Sequence, residues 1–204
     1  MTGGAAEVFS GGIQWPVAVR QRGWPVTPVL AGKLGLVPKS LDLPFDPIER
    51  AAAIWQRRFG DPKAMAAVTS IMRAHQILLA ELDARLRPFG LTFARYEALV
   101  LLSFSRSGAL PLSLIGDRLM VHPTSVTNTI NRLEQAKLVI RRPNPADKRG
   151  TLAEITQAGR ELVEVTTATL MAADFGLSDY QPGQLDAMFG LLEKLRIAAG
   201  DFTR

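Results

Sequence analysis

The stretch Val121-His122-Pro123-Thr124-Ser125-Val126-Thr127-Asn128-Thr129-Ile130-Asn131-Arg132-Leu133-Glu134 decides how this chain is read. Val126, Ile130 and Leu133 recur at i, i+4 and i+7, the spacing of one helical face. Thr124, Asn128, Asn131 and Arg132 fall on the opposite side, with Ser125 and Thr127 at its flanks. Pro123 presets φ for the first helical turn. The polar side carries short donors and acceptors plus one fork-shaped cation, the chemistry that reads base edges in a major groove. The competing reading is a solvated helix whose hydroxyls only satisfy its own N-terminal amides. Seven residues after Glu134 stands Arg141-Arg142-Pro143-Asn144-Pro145-Ala146-Asp147-Lys148-Arg149-Gly150, a basic, turn-rich hairpin tip. A polar-faced helix followed by such a hairpin points to a winged helix that binds DNA.

The charge distribution agrees. The chain of 204 residues carries 24 basic and 19 acidic side chains, a net +5. Between Arg118 and Arg149 seven basic residues face only Glu134 and Asp147, so this window alone holds the whole surplus. A compact positive patch on an otherwise balanced protein is the footprint of a polyanion binder.

Composition excludes several classes. Hydrophobic residues make up 47% of the chain and charged residues 21%, which suits a globular core and not global disorder. Without cysteine there is no disulfide, thiolate metal site or thiol redox switch. With only two histidines, His75 and His122, in unrelated elements, no all-imidazole metal site within one chain is expected. No metal and no cofactor are expected. No apolar run approaches the roughly 18 residues of a membrane span, and no basic segment with an apolar core opens the chain. Cytoplasmic residence is the expectation.

Outward from the reading helix, the chain divides into four segments. Residues 1–45 form a Gly/Pro-rich N-terminal extension, with Gly3, Gly11, Gly23, Gly35, Pro16, Pro25 and Pro38 among its breakers and Trp15 and Trp24 too apolar for an inert linker. Residues 46–90 hold two helices. Asp46 and Pro47 read as N-cap and first helical position. From Met65 the apolar series Met65, Val68, Met72, His75, Leu79, Leu82, Leu86 alternates gaps of 3 and 4, a heptad seam.

Residues 91–156 form the DNA-binding segment. Thr92 is the expected cap of a helix whose Phe93, Tyr96, Leu99, Val100, Leu102 and Phe104 supply the core. A short helix over 111–119 follows, with Gly116 implying close backbone packing. Strands over 138–142 and 151–155 flank the basic tip. In residues 157–204, Thr156 caps one helix. A last helix over 182–199 aligns Leu185, Met188, Phe189, Leu192 and Leu195. The fold class is thus mainly α with a small β-hairpin wing, a winged helix-turn-helix on a helical platform.

Residues 91 to about 159 resemble the MarR family of bacterial transcription regulators. The matching pieces are Leu91 to Leu99, Ile115 to Leu119, Ser125-Val126-Thr127, Arg132-Leu133-Glu134, Leu138 to Arg142, Asp147-Lys148-Arg149 and Thr156 to Gly159. Each alone is weak, and together, in this order and spacing, they are specific. The resemblance implies a homodimer with interleaved terminal helices and two winged helix-turn-helix units on a near-palindromic operator. It implies repression, and in many members release of double-stranded DNA by a small aromatic effector held between platform and reading unit.

On the reading helix the expected DNA contacts are Thr124, Ser125, Thr127, Asn128 and Arg132. In the wing the resemblance places Arg149 near the minor groove, with Arg141, Arg142 and Lys148 on phosphates, which position without specifying. Asp147 would orient the tip. Met65, Val68, Met72, Leu185, Met188 and Leu192 are the dimerisation candidates, because they present more apolar surface than one small domain buries. Trp55, Arg73, His75, Tyr96 and Phe104 are candidates for an effector pocket, and each is equally natural in a core or interface. His122 either caps the reading helix or donates to a phosphate.

Two rival functions compete with this reading. An enzyme lacks support: there is no Gly-rich phosphate loop, no nucleophile constellation and no metal-ligand spacing. A non-specific, DNA-compacting winged helix fits the basic patch but leaves the polar reading face without a purpose.

Overall fold

A computed structural model describes residues 41–147 and 150–203 of the chain. Residues 1–40, the bulk of the Gly/Pro-rich extension, lie outside the described residues, as do Lys148 and Arg149 of the wing.

Two helices open the described chain. α1 runs Pro47–Phe59, and the Asp46 carboxylate accepts from the Ile48 N–H at 2.8 Å, as expected of this cap. Gly60, at φ 96°, ends it. α2 is 24 residues long, Lys63–Leu86. Its seam divides in two. Leu82 and Leu86 are buried, while Val68 and Met72 remain more than half exposed. No residue of α1 is buried.

A 3-10 turn, Arg87–Phe89, and Gly90 at φ 72° lead into α3, Phe93–Phe104. The cap falls at Thr92 as expected, but its side chain does not do the capping. It accepts no backbone amide and instead takes Arg95 Nε. The Phe93 N–H donates to Asp83 Oδ1 of α2 at 2.6 Å. A carboxylate delivered from the preceding helix therefore replaces the local hydroxyl, and its charge suits the positive end of α3.

The reading of Phe104 is corrected. It is 77% exposed and contributes nothing to the core. Two residues beyond buried Leu102, it is turned about 200° around the helix, toward solvent.

α4, Leu112–Leu119, and α5, Pro123–Gln135, follow. Three strands close the unit: β1 Ala109–Pro111, β2 Val139–Pro143 and β3 Thr151–Ile155. The sheet is antiparallel with β3 central, in the order β1-β3-β2, so the wing is three-stranded and not a lone hairpin. Leu110 sits opposite Ala153, and Arg141 sits opposite the same residue from the other side.

α6, Gln157–Met171, is capped by Thr156 Oγ1 accepting from the Gly159 N–H at 3.1 Å. A Cβ on Gly159 would lie 2.4 Å from the Leu138 carbonyl oxygen, so glycine lets the helix touch the start of the wing. α7, Pro182–Ala198, ends the chain's secondary structure with no buried residue. It makes no extended contact with any other described element.

The core lies where α3, α4, α5, the sheet and α6 meet. Leu99, Leu102, Ile115, Ile130, Leu133, Val139 and Leu170 are at most 1% exposed. Each contributes roughly 1.5–3 kcal/mol by leaving water. No described helix is long and apolar enough to cross a membrane.

Candidate nucleic-acid interface

The turn between α4 and α5 fixes how the reading helix is presented. Met120 adopts a left-handed conformation at φ 51°. This lets the Val121 N–H return to the Gly116 carbonyl at 3.0 Å, a C-terminal closure of α4. A Cβ on Gly116 would sit 3.2 Å from the Val121 carbonyl and 3.3 Å from Val126 Cγ2. The close packing expected at Gly116 is therefore present. His122 resolves in favour of capping: its Nδ1 accepts from the Thr124 N–H at 3.3 Å.

The two edges of α5 separate as its spacing predicts. Val126, Ile130 and Leu133 are buried at 2%, 0% and 0% exposure. Thr124, Ser125, Thr127, Asn128 and Arg132 are all exposed. Among the described residues their side chains take part in no hydrogen bond or ion pair. Among the described residues, one helix edge thus holds five polar groups with no protein partner.

The wing behaves differently from the sequence expectation. Arg142 pairs through Nε with Glu154 across β2 and β3. Arg141 turns toward α5, with Nη1 3.5 Å from Glu134 Oε2 and Nη2 3.5 Å from the Thr127 carbonyl oxygen. Both arginines named as phosphate contacts therefore carry an internal partner. The cations of the tip, Lys148 and Arg149, lie outside the described residues. Asp147 shapes the tip through its backbone. Its N–H donates to the Asn144 carbonyl at 3.2 Å, and its own carbonyl accepts from Gly150 at 2.8 Å. Asn144 adds a side-chain turn, its Oδ1 accepting from the Ala146 N–H at 3.1 Å.

Glu134 and Glu154 were not among the expected site residues. The signal for Glu154 is a carboxylate on a strand opposite a basic strand. For Glu134 no local pattern points at Arg141, because the strand must first turn back along the helix.

The five effector candidates are dispersed. Trp55 packs against Phe59 within α1, the ring centroids 4.9 Å apart and the planes tilted by 56°. Tyr96 is 5% exposed in the core, its hydroxyl 3.0 Å from Thr167 Oγ1. Arg73 is half-buried and His75 exposed on α2, and Phe104 projects into solvent. None of the five lines either of two concavities on the surface. One, of about 430 Å³, lies between the end of α2 and the start of α3 beside Asp83, Arg87 and Arg95. The other, about 70 Å³, lies between α3 and α5 beside Glu97, Ile115 and Val126. Burial there raises the pKa of the Glu97 carboxyl.

With this geometry the relatives can be placed. A profile of the MarR family matches residues 89–150, from the turn before α3 to the end of the wing tip. Sco5413 of Streptomyces coelicolor, a MarR family transcriptional regulator, is 61% identical over 70% of this chain and 99% of its own, with a TM-score of 0.66. The chain belongs to the MarR family. A second member, Sco3205 of the same organism, was solved in complex with DNA. It is 25% identical, with a TM-score of 0.59 over 69% of this chain and 91% of its own. The HTH-type transcriptional regulator MhqR of Bacillus subtilis (strain 168) is 31% identical over 97 residues, which span 48% of this chain and 66% of that protein. A MarR-type winged helix, DNA binding and transcription regulation are thereby shared ground. The matched regulators give no support to an enzymatic reading.

Proposed function

We propose that the protein is a homodimeric, sequence-specific repressor that inserts α5 of each subunit into successive major grooves of a near-palindromic operator. The observation that carries this reading is the exposed, unpartnered polar edge of α5 above a fully buried apolar edge. Thr124, Ser125, Thr127, Asn128 and Arg132 are the DNA-facing groups, with Arg132 able to take a guanine edge or a phosphate. Arg142, Lys148 and Arg149 add the wing's positive charge, and Asp147 holds its tip.

Residues 46–90 and 157–204 form the dimerisation part, and residues 91–156 the reading part. Support comes from apolar groups left in water. Val68 is 54% exposed, Met72 61% and Leu192 38%, and Met65, Leu185 and Met188 are only half-buried. Apolar side chains left in water on this scale mark an interaction surface. Two-fold pairing through these faces would set the reading helices about 34 Å apart, one turn of DNA. Release by a small aromatic compound enters this reading from the family alone.

The test is selection of bound fragments from genomic DNA, followed by anisotropy titration against a shuffled duplex. A regulator holds a preference of at least about 10³ for its site. Binding all duplexes within about tenfold would instead support DNA compaction. A reporter driven from the selected site then reads repression directly, and light scattering reads the dimer.

A further inference from the structure

Arg141 is placed differently from its neighbour Arg142 in the basic patch. It lies on β2, the strand that leaves α5 and rises into the wing. Its side chain is 28% exposed, against 57% for Arg142 one residue later. The guanidinium faces back onto the reading helix and meets two of its groups seven residues apart. Nη1 lies 3.5 Å from the Glu134 carboxylate, and Nη2 donates to the Thr127 carbonyl. Nε is out of contact with solvent and has no acceptor.

Holding a guanidinium nitrogen dry and unpaired costs free energy, which this arrangement tolerates. Glu134 also offsets the charge that a phosphate contact would use. Arg141 is thus badly placed for attracting the DNA backbone and well placed for linking β2 to α5. Thr127, whose carbonyl it grips, lies within the polar edge that faces DNA.

We propose that Arg141 is a positioning residue that fixes the angle between wing and reading helix, and so sets sequence discrimination without touching DNA itself. The inference rests on α5 being the element that reads bases. The planar fork offers one nitrogen to the Glu134 carboxylate and a second to the Thr127 carbonyl in fixed geometry, an arrangement that a single lysine nitrogen does not reproduce. Loosening this brace lets α5 and the wing reach their grooves in more than one relative orientation. Binding to any duplex then survives, while the advantage of the matched duplex shrinks.

The experiment is anisotropy titration of the full chain at several salt concentrations, on the duplex selected by the wild type and on a shuffled duplex of equal length. R141K, R141Q and E134Q are each expected to lower the selected-to-shuffled ratio by about tenfold. The slope of log affinity against log salt should stay at the wild-type value. The double variant R141Q/E134Q should lose no more than either single variant.

A phosphate contact gives a different pattern. R141K would then bind like the wild type, R141Q would weaken both duplexes equally with the slope falling by about 0.9, and E134Q would bind as well or better. That pattern overturns the proposal. Circular dichroism melts accompany each variant. If R141Q does not fold, E134Q carries the test alone, because Glu134 is 40% exposed and its loss leaves the core intact. A wild type that does not distinguish the duplexes fails the reading of α5 itself, before any variant is compared.

Discussion

The two halves of this molecule are finished to different degrees. Around α5 the chain closes on itself: helix, turn, sheet and α6 share a core whose large residues are almost wholly out of solvent. Around α1, the first half of α2 and α7 it does not. Those helices are as regular and as apolar, yet Ile54, Phe59, Met72, Phe189 and Leu195 remain exposed. The same seam crosses from one regime to the other within α2, between Met72 and Leu82. The reading half holds its shape from its own contacts, whereas the terminal half leaves large apolar side chains in water.

Substitutions on either side of that boundary should therefore fail in different ways. The largest effect is expected from Met72→Asp. If two copies meet through this face, a two-fold axis places two carboxylates in an apolar contact. The dimer should weaken by at least about 4 kcal/mol, near a thousandfold. Analytical ultracentrifugation would show a folded monomer, and an unchanged dimer mass would remove Met72 from the interface.

In the closed half, Ile130→Ala should cost about 2–5 kcal/mol, because it opens a cavity beneath the reading helix. Denaturant unfolding reads this as a fall in midpoint at every protein concentration. A loss that disappears on raising the concentration would blur the proposed boundary.

Asn128→Ala touches neither core nor seam. It should leave stability within about 0.5 kcal/mol and reduce discrimination between selected and shuffled duplex by about 1–3 kcal/mol. Equal binding by variant and wild type would take Asn128 off the list of base contacts.

Glu97→Gln is the smallest change and asks whether the closed half is under electrostatic strain. Burial raises the Glu97 pKa above the usual 4.5, so the folded state disfavours its ionised form. The glutamate's penalty is present at neutral pH. It fades as pH falls through the raised pKa and is gone below 4.5. The glutamine variant should thus melt above the wild type at pH 7, with the gap closing toward pH 4.5. A gap that is constant with pH would mean the gain comes from packing instead.

What could be read in the sequence followed the same division. Caps, breakers and periodicity together located α1 to α7, and the i, i+4, i+7 pattern of Val126, Ile130 and Leu133 separated the two edges of α5 correctly. These are local signals, and a helical wheel carries them. The pairings that decide the details are not local. β1 is three residues long, too short to show alternation, and is a strand only because β3 lies beside it. Position makes Thr92 the cap residue of α3, and it stands there, but the oxygen that satisfies the first amide belongs to Asp83 of another helix. Phe104 could have been read correctly, since its position on the wheel already points away from Leu99 and Leu102. Arg141 could not, because sequence shows its charge and not the direction in which the strand carries it.

The corner between α2 and α3 has a mechanical consequence. Besides the Asp83 clasp, the Leu91 N–H bonds the Leu86 carbonyl and Arg95 Nη1 bonds the Gly90 carbonyl, so the elbow has little slack. α2 spans roughly 36 Å at 1.5 Å per residue. A tilt of about 5° at its far end becomes a displacement of roughly 3 Å across that length. Any handle that pulls on the distal tip of this rod therefore works a lever whose short arm is the DNA-reading unit.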